Sequence, residues 1–191
     1  MVALTLNVPS TIELTLKQFE QLAIVNPDLR LELTAIGGLV IMPPTGGETG
    51  QRNSDISGQL WYWNRQHNLG KDFDSSTGFR LPNGAVRAPD ASWLEQTRWD
   101  ALTPTQRQKF LPLCPDFAIE LLSPSDDLEQ TQTKMQEYLD NGLRLGWLIN
   151  PRNCTVEIYR PGQETEQVVS PKTLSGETVL PEFTLDLSRV W

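Results

Sequence analysis

An almost unbroken apolar run at residues 115–122 constrains the fold of this chain more than any other feature. A strand that is apolar on both faces is typical of a sheet that other parts of the protein cover on both sides. Glu120 interrupts the run. An ionised carboxylate taken out of water costs several kcal/mol unless a cation, a metal ion or hydrogen-bond donors compensate it. The run therefore predicts a covered strand that holds a compensated charge.

A second carboxylate lies in a similar setting. Asp90 interrupts residues 87–94, which also read as a buried strand, and Lys134 follows on the next predicted helix. One ammonium group compensates one carboxylate, so two such acids leave a negative charge over. The three residues together indicate a metal site.

Hydrophobic periodicity predicts the remaining elements. Helices are predicted over residues 15–25, 52–67 and 128–142, and a short helix near Thr103-Pro104 within a peripheral excursion at 95–113. Hairpins are predicted from 29–33 with 39–42, from 145–149 with 155–160, and around Asn83-Gly84 within 79–90, with Asp90 on the returning strand. Residues 43–50 read as a loop, and short β segments are predicted near Val168 and Val179.

The predicted order is helix, hairpin, helix, hairpin, strand, helix, hairpin. This order describes an α/β fold with a mixed central β-sheet flanked by α-helices. With 191 residues, the chain fits a single domain over residues 1–191.

Composition favours a cytoplasmic protein with no membrane segment. The apolar stretches stay below the roughly 18 residues that a spanning helix needs, and residues 1–9 lack the positive charge of a secretion signal. The two cysteines, Cys114 and Cys154, are isolated, so that neither a disulfide framework nor a paired-cysteine metal motif is expected. We expect both to be reduced thiols in the core.

The charge and the histidine count exclude several classes. His67 is the only histidine, which rules out multi-histidine zinc sites and histidine-based serine triads within one chain. The net charge of −8 argues against a broad basic nucleic-acid surface. A divalent cation in a carboxylate pocket can nevertheless reverse the local sign. The arginines of the first half form either a local patch or scattered solvated charges; they are Arg52, Arg65, Arg80 and Arg87.

Four residues form the candidate site, namely Glu32, Asp90, Glu120 and Lys134. Oxygen ligands are what Mg²⁺ or Mn²⁺ prefers, and a magnesium site usually needs only one or two carboxylates with water and phosphate. Strand alternation places Glu32 and Glu120 opposite their apolar neighbours, so that each can face a common cleft. The structural alternative for each acid is a strand-end carboxylate in water or paired with an arginine.

Several motifs in this chain resemble the Uma-type restriction endonuclease family. The similarity lies in Leu31-Glu-Leu33 before a glycine turn, Pro89-Asp90, the stretch 117–126, Lys134-Met-Gln-Glu-Tyr138 with Gly142, and the stretch 147–151. The match covers residues 13–187 in the order typical of that family.

The resemblance implies a PD-(D/E)XK nuclease with a restriction-endonuclease-like fold, which holds an Asp and a Glu on adjacent strands at a divalent metal. It identifies Asp90 as the motif aspartate and Glu120 as the motif glutamate. The position two residues after the glutamate usually carries lysine and is Leu122 here. By its context, Lys134 on the following helix takes the place of that lysine.

The resulting hypothesis is a metal-dependent endonuclease that hydrolyses phosphodiester bonds, with DNA as the expected substrate. Asp90, Glu120 and the Leu121 carbonyl are predicted to hold Mg²⁺ or Mn²⁺. Lys134 is predicted to orient water and stabilise charge, and Glu32 either binds a second ion or organises the first.

Gln132 and Tyr138 are candidate supporting groups, with core packing as the alternative for Tyr138. The resemblance also implies a homodimer, to which Trp61, Trp63 and Trp191 contribute unless they pack in the core. Two other readings stay open. One is a catalytically inactive nucleic-acid-binding or assembly protein on a nuclease fold, and the other is a structural domain with fortuitously placed acids.

Overall fold

A computed structural model describes residues 13–191 of the chain. The first twelve residues of the predicted domain lie outside the described part, and the single domain stays a prediction. The helices are α1 Leu16–Val25, α2 Gly47–His67, α3 Gln96–Asp100, α4 Pro104–Arg107 and α5 Leu128–Asp140. The strands are β1 Arg30–Leu33, β2 Leu39–Met42, β3 Gly70–Asp74, β4 Phe79–Arg80, β5 Val86–Arg87, β6 Ala91–Glu95, β7 Phe117–Leu121, β8 Leu145–Asn150, β9 Thr155–Tyr159, β10 Glu166–Val169, β11 Thr173–Ser175 and β12 Thr184–Asp186.

The central sheet is mixed, which confirms the predicted fold class. Its strands lie in the order β10-β9-β8-β7-β6-β3. Strands β7 and β8 are parallel and are joined through α5, whereas the other neighbours are antiparallel. Every residue of β7 and β8 is buried, as expected of strands that are covered on both faces.

Helices cover the two faces of this sheet. The apolar stripe of α2, formed by Ile56, Leu60 and Trp63, packs in a core with Phe117 and Ile119 of β7. The other face of β7 packs in a second core, which includes residues of α5. The alternation of side chains along β7 thus assigns its odd-numbered residues to the α2 side and Ala118 to the α5 side.

A smaller antiparallel sheet, in the order β2-β1-β5-β4, lies apart from the central sheet. The predicted hairpin at 29–42 and the pair around Asn83-Gly84 are present, and they join through the Leu33–Val86 pairing. The prediction that Asp90 lies on the returning strand of the second hairpin is wrong. Asp90 lies between β5 and β6, where the chain passes from the small sheet to the central one. This passage brings Asp90 to the end of a central strand.

Three further predictions differ from the structure. Helix α2 begins at Gly47 within the predicted loop, because the low helix propensity of the glycines hides its first turn, in which Thr49 is buried. Strand β3 was not predicted, since this partly exposed edge strand carries Lys and Asp rather than an apolar pattern. Val179 lies between β11 and β12 rather than in a strand, although its side chain is buried.

Across residues 13–191, helices long and apolar enough to cross a membrane are absent. Both cysteines are free thiols. Cys114 is buried, and Cys154 is half-buried rather than part of the core.

Candidate active site

Glu120 lies in the middle of the molecule and is 7% exposed. Its position on β7 places it on the α5 side of the sheet, with Ala118. The Tyr138 hydroxyl of α5 donates a hydrogen bond to Glu120 Oε1 over 3.0 Å. Lys134, one helical turn earlier on α5, places its Nζ 2.8 Å from the same oxygen. Helix α5 therefore supplies Glu120 with one neutral donor and one cation.

Lys134 connects two acids from different sheets. Its Nζ lies 2.8 Å from Glu120 Oε1 and 2.8 Å from Glu32 Oε1. Glu32 belongs to β1 of the small sheet and is 2% exposed. The structure thus brings together three of the four predicted site residues in one buried ion cluster.

Glu32 is held by more than this one ion pair. Its Oε1 accepts a hydrogen bond of 2.9 Å from the Ala88 backbone N–H. Its Oε2 accepts one of 3.1 Å from the Arg87 guanidinium, which also binds Glu137 of α5. Each oxygen of Glu32 therefore has a donor, and the charge of the carboxylate is compensated.

Asp90 approaches Glu120 through the backbone of β7. The antiparallel pairing of β6 with β7 ends at the pair Ala91–Ile119. Asp90 immediately precedes Ala91 in the sequence and therefore lies beside the Glu120–Leu121 segment. The Leu121 backbone N–H donates a hydrogen bond of 2.8 Å to Asp90 Oδ2. Asn53 Nδ2 of α2 donates a longer one of 3.3 Å to Asp90 Oδ1. Within residues 13–191, Asp90 has no ion pair closer than 4 Å.

The surroundings shift the pKa values of the acids in different directions. Burial raises the pKa of Glu120 to about 7, and the neighbouring Asp90 and Glu32 charges add to this rise while Lys134 opposes it. Burial also raises the pKa of Asp90. Burial alone would raise the pKa of Glu32, but Lys134 and Arg87 outweigh it and lower that pKa. Asp90 and Glu120 are thus the acids whose negative charge is least compensated.

The charges of the cluster do not balance when all groups are ionised. Four carboxylates, those of Glu32, Asp90, Glu120 and Glu137, stand against the two cations Arg87 and Lys134, which leaves two negative charges. Among the described residues, no group of three or more His, Cys, Asp or Glu side chains is arranged to hold a metal ion. An ion at this place would depend on two carboxylates, main-chain oxygen and water, which is a common arrangement for Mg²⁺.

The structure separates the two candidate supporting residues. Tyr138 contacts Glu120 and is fully buried, so that it serves both the site and the core. Gln132 lies elsewhere, because its Nε2 donates to Glu157 Oε1 of β9 over 2.7 Å. A role for Gln132 at the site therefore lacks support.

Sequence reasoning missed three partners of the site, namely Asn53, Arg87 and Glu137. Asn53 carried a readable signal, because it stands three residues before Ile56 on the apolar stripe of α2. A polar residue on a stripe that faces the core needs a buried partner. Arg87 was considered only as part of a basic patch, and its partners come from distant elements.

Comparison with known proteins agrees with this architecture. A crystal structure described as a putative nuclease belonging to DUF820, from Anabaena variabilis, superposes with a TM-score of 0.78. The two chains share 22% identity, and the match covers 93% of this chain and 97% of the other. At this identity the likeness shows a common fold. A search of curated proteins gave no match.

The family comparison covers most of the chain. The Uma2 family, described as "Putative restriction endonuclease", matches residues 16–188. This range contains the central sheet, the smaller four-stranded sheet, helix α5 and all four residues of the candidate site. The chain belongs to the Uma2 family of restriction-endonuclease-like proteins.

Proposed function

We propose that this protein is a divalent-metal-dependent endonuclease that hydrolyses phosphodiester bonds of DNA. The family supports a nuclease and hence a nucleic-acid substrate. The choice of DNA and of Mg²⁺ or Mn²⁺ is ours. One observation carries the proposal: Asp90 accepts a hydrogen bond from the backbone N–H of Leu121, the residue after Glu120, and burial raises the pKa values of both acids.

The donor set fits a hard divalent cation. Carboxylate and carbonyl oxygens are the ligands that Mg²⁺ and Mn²⁺ prefer. The acids of the site outnumber its cations, and this surplus of negative charge favours the binding of a cation. Asn53 Oδ1, on the side chain that bonds Asp90, is also buried and has no hydrogen-bond partner within residues 13–191. We assign Asp90, Glu120 and the Leu121 carbonyl as the groups that would hold the ion.

When bound, such an ion polarises a phosphate oxygen and lowers the pKa of a coordinated water. The protein contributes the positions of the groups around it. The Leu121 backbone N–H fixes Asp90, and the Tyr138 hydroxyl fixes Glu120. Both donors come from buried elements, and this pre-organises the carboxylates at little cost during the reaction.

Lys134 is the charged group best placed to act on the substrate. Burial alone would lower the pKa of Lys134, but the neighbouring carboxylates of Glu120 and Glu32 outweigh it, raise that pKa and keep the ammonium group protonated. Its ammonium group can stabilise negative charge that develops on the phosphate. If the Glu120 carboxylate binds an ion, Lys134 keeps its ion pair with Glu32, in which Nζ lies 2.8 Å from Oε1. The donors on both Glu32 oxygens support this positioning role rather than direct binding of a second ion.

Cleavage of supercoiled plasmid tests the proposal. We expect nicked or linear DNA with the wild type in Mg²⁺ or Mn²⁺, none in EDTA, and at least a hundredfold slower cleavage by Asp90→Ala. Asp28→Ala, which removes an exposed acid from a turn, is the matched control and should cleave like the wild type. Equal cleavage by Asp90→Ala and the wild type would remove the assignment. Metal-independent DNA binding without any cleavage would favour an inactive binding protein instead.

A further inference from the structure

Asn53 of α2 links the helix on one side of the central sheet to the candidate active site. Its Nδ2 donates to Asp90 Oδ1 over 3.3 Å. Reversing the amide would bring Asn53 Oδ1 against a carboxylate oxygen, and two acceptors repel each other. The contact with Asp90 therefore assigns Nδ2 to the side of Asp90 and Oδ1 to the opposite side.

That other end, Asn53 Oδ1, is buried and lacks a hydrogen-bond partner among the described residues. Buried polar atoms nearly always have a partner, and an exception calls for an explanation. Some buried unpartnered atoms occur elsewhere in the chain, for example on Ser92 and Trp147. Asn53 differs from these because its own side chain bonds the carboxylate that we assign to the ion.

We propose that Asn53 is a positioning residue of the ion site, whose Oδ1 accepts a hydrogen bond from the hydration water of a divalent ion held by Asp90. This inference rests on the proposed function. Mg²⁺ dehydrates reluctantly and keeps several waters, each of which needs acceptors. Acceptors around a metal site are often as important as the ligands, and their loss commonly lowers metal affinity by 10- to 100-fold.

The same side chain would thus perform two tasks. Nδ2 holds Asp90 in place, and Oδ1 receives a proton donor that is present only when the ion is bound. A residue of this kind stabilises the loaded protein more than the metal-free protein. Replacing Asn53 by an apolar residue of similar size should therefore separate metal affinity from stability, which a purely structural asparagine would not do.

The test is a titration with Mn²⁺ alone, followed by electron paramagnetic resonance, together with melting curves in EDTA. We expect Asn53→Leu to bind Mn²⁺ about tenfold or more weakly than the wild type, and to lose more Tm in Mn²⁺ than in EDTA. Asn53→Asp keeps an acceptor but places a second charge beside Asp90. This variant should have a lower metal-free Tm and bind Mn²⁺ at least as tightly as the wild type.

Gln51→Leu is the matched control, because Gln51 lies on the same helix but is exposed. It should leave Mn²⁺ affinity unchanged. An Mn²⁺ affinity of Asn53→Leu within twofold of the wild type would overturn the inference and leave the proposed function intact. A wild type that does not bind Mn²⁺ would refute both. If Asn53→Leu fails to fold, weaker Mn²⁺ binding by Asn53→Asp than by the wild type would refute the inference by itself.

Discussion

At the scale of single residues, the site is defined by unequal compensation of charge. Glu32 has a donor on each oxygen and a lowered pKa, whereas burial raises the pKa of Glu120 and of Asp90. Burial of an acid is therefore not what distinguishes a candidate ligand from a positioning group here. The difference lies in how many cations and donors each carboxylate already has.

The raised pKa of Glu120 predicts how metal-free stability depends on pH. Between pH 4.5, the ordinary pKa of a glutamate, and about 7, folded Glu120 holds its proton while unfolded Glu120 has lost it. Stability should therefore fall as pH rises through this window, by an amount on the order of 3 kcal/mol from this residue. Urea unfolding in EDTA at a series of pH values measures the slope.

Glu120→Gln should flatten that slope, since glutamine does not titrate. Glu164→Gln, an exposed substitution of the same kind, serves as the control and should keep the wild-type slope. An unchanged slope in Glu120→Gln would show that another group titrates in this window.

Lys134→Met should strongly destabilise the protein. The substitution leaves Glu120 without a cation and removes one of the cations of Glu32. Breaking a buried ion pair from one side typically costs about 3–5 kcal/mol. Urea unfolding in EDTA at pH 8 measures this cost, and the exposed substitution Lys172→Met should cost less than about 0.5 kcal/mol. Equal stability of the two variants would mean that Lys134 does not compensate the acids.

Sequence reasoning reached part of this residue-level arrangement. Glu32, Glu120 and Lys134 were grouped because acids within apolar strands need compensation, and the structure does join them. Asn53 and Arg87 were not grouped with them. Asn53 lies 37 positions from Asp90 in the sequence, and Arg87 lies 55 positions from Glu32 and 50 from Glu137. The local sequence pattern does not encode pairings over such separations.

At the scale of elements, α5 controls the geometry of the site because it carries both Lys134 and Tyr138. Asp127 caps this helix and its side chain accepts from the Gln130 backbone N–H. The sequence predicted this helix well, since its apolar stripe and several cap candidates agree. It predicted the start of α2 poorly, because the glycines before Arg52 have low helix propensity and resemble a loop.

The cap of α5 gives a prediction at this scale. Asp127→Ala removes the acceptor for one free backbone N–H and should lower the free energy of unfolding by about 1 kcal/mol. Asp127→Asn keeps an acceptor at the same place and should lose much less. Thermal or urea unfolding of the pair distinguishes a capping effect from a general effect of charge, since equal losses in the two variants would exclude capping as the cause.

At the scale of the whole molecule, an acidic protein must approach an acidic polymer. The net charge is −8, which argues against nucleic-acid binding through a broad basic surface. A divalent ion at the surplus carboxylates offers local compensation. The predicted homodimer stays a prediction, and of the tryptophans considered for its interface Trp63 lies in the core whereas Trp61 is half exposed.

The large-scale topology was only partly predictable from the sequence. Alternation and turn residues located both N-terminal hairpins, but they gave no sign that these hairpins form a sheet of their own. The Leu33–Val86 pairing that joins them spans more than fifty residues. Such pairing depends on long-range packing. The position of Asp90, in the segment that joins β5 of the small sheet to β6 of the central sheet, depends on the same packing.

A crystal soaked in Mn²⁺ tests the central claim most directly, because anomalous scattering locates the ion without reference to activity. We predict a peak between Asp90 and Glu120, within about 2.5 Å of an oxygen of each. A soaked crystal with no peak there, or with a peak that contacts neither carboxylate, would contradict the account.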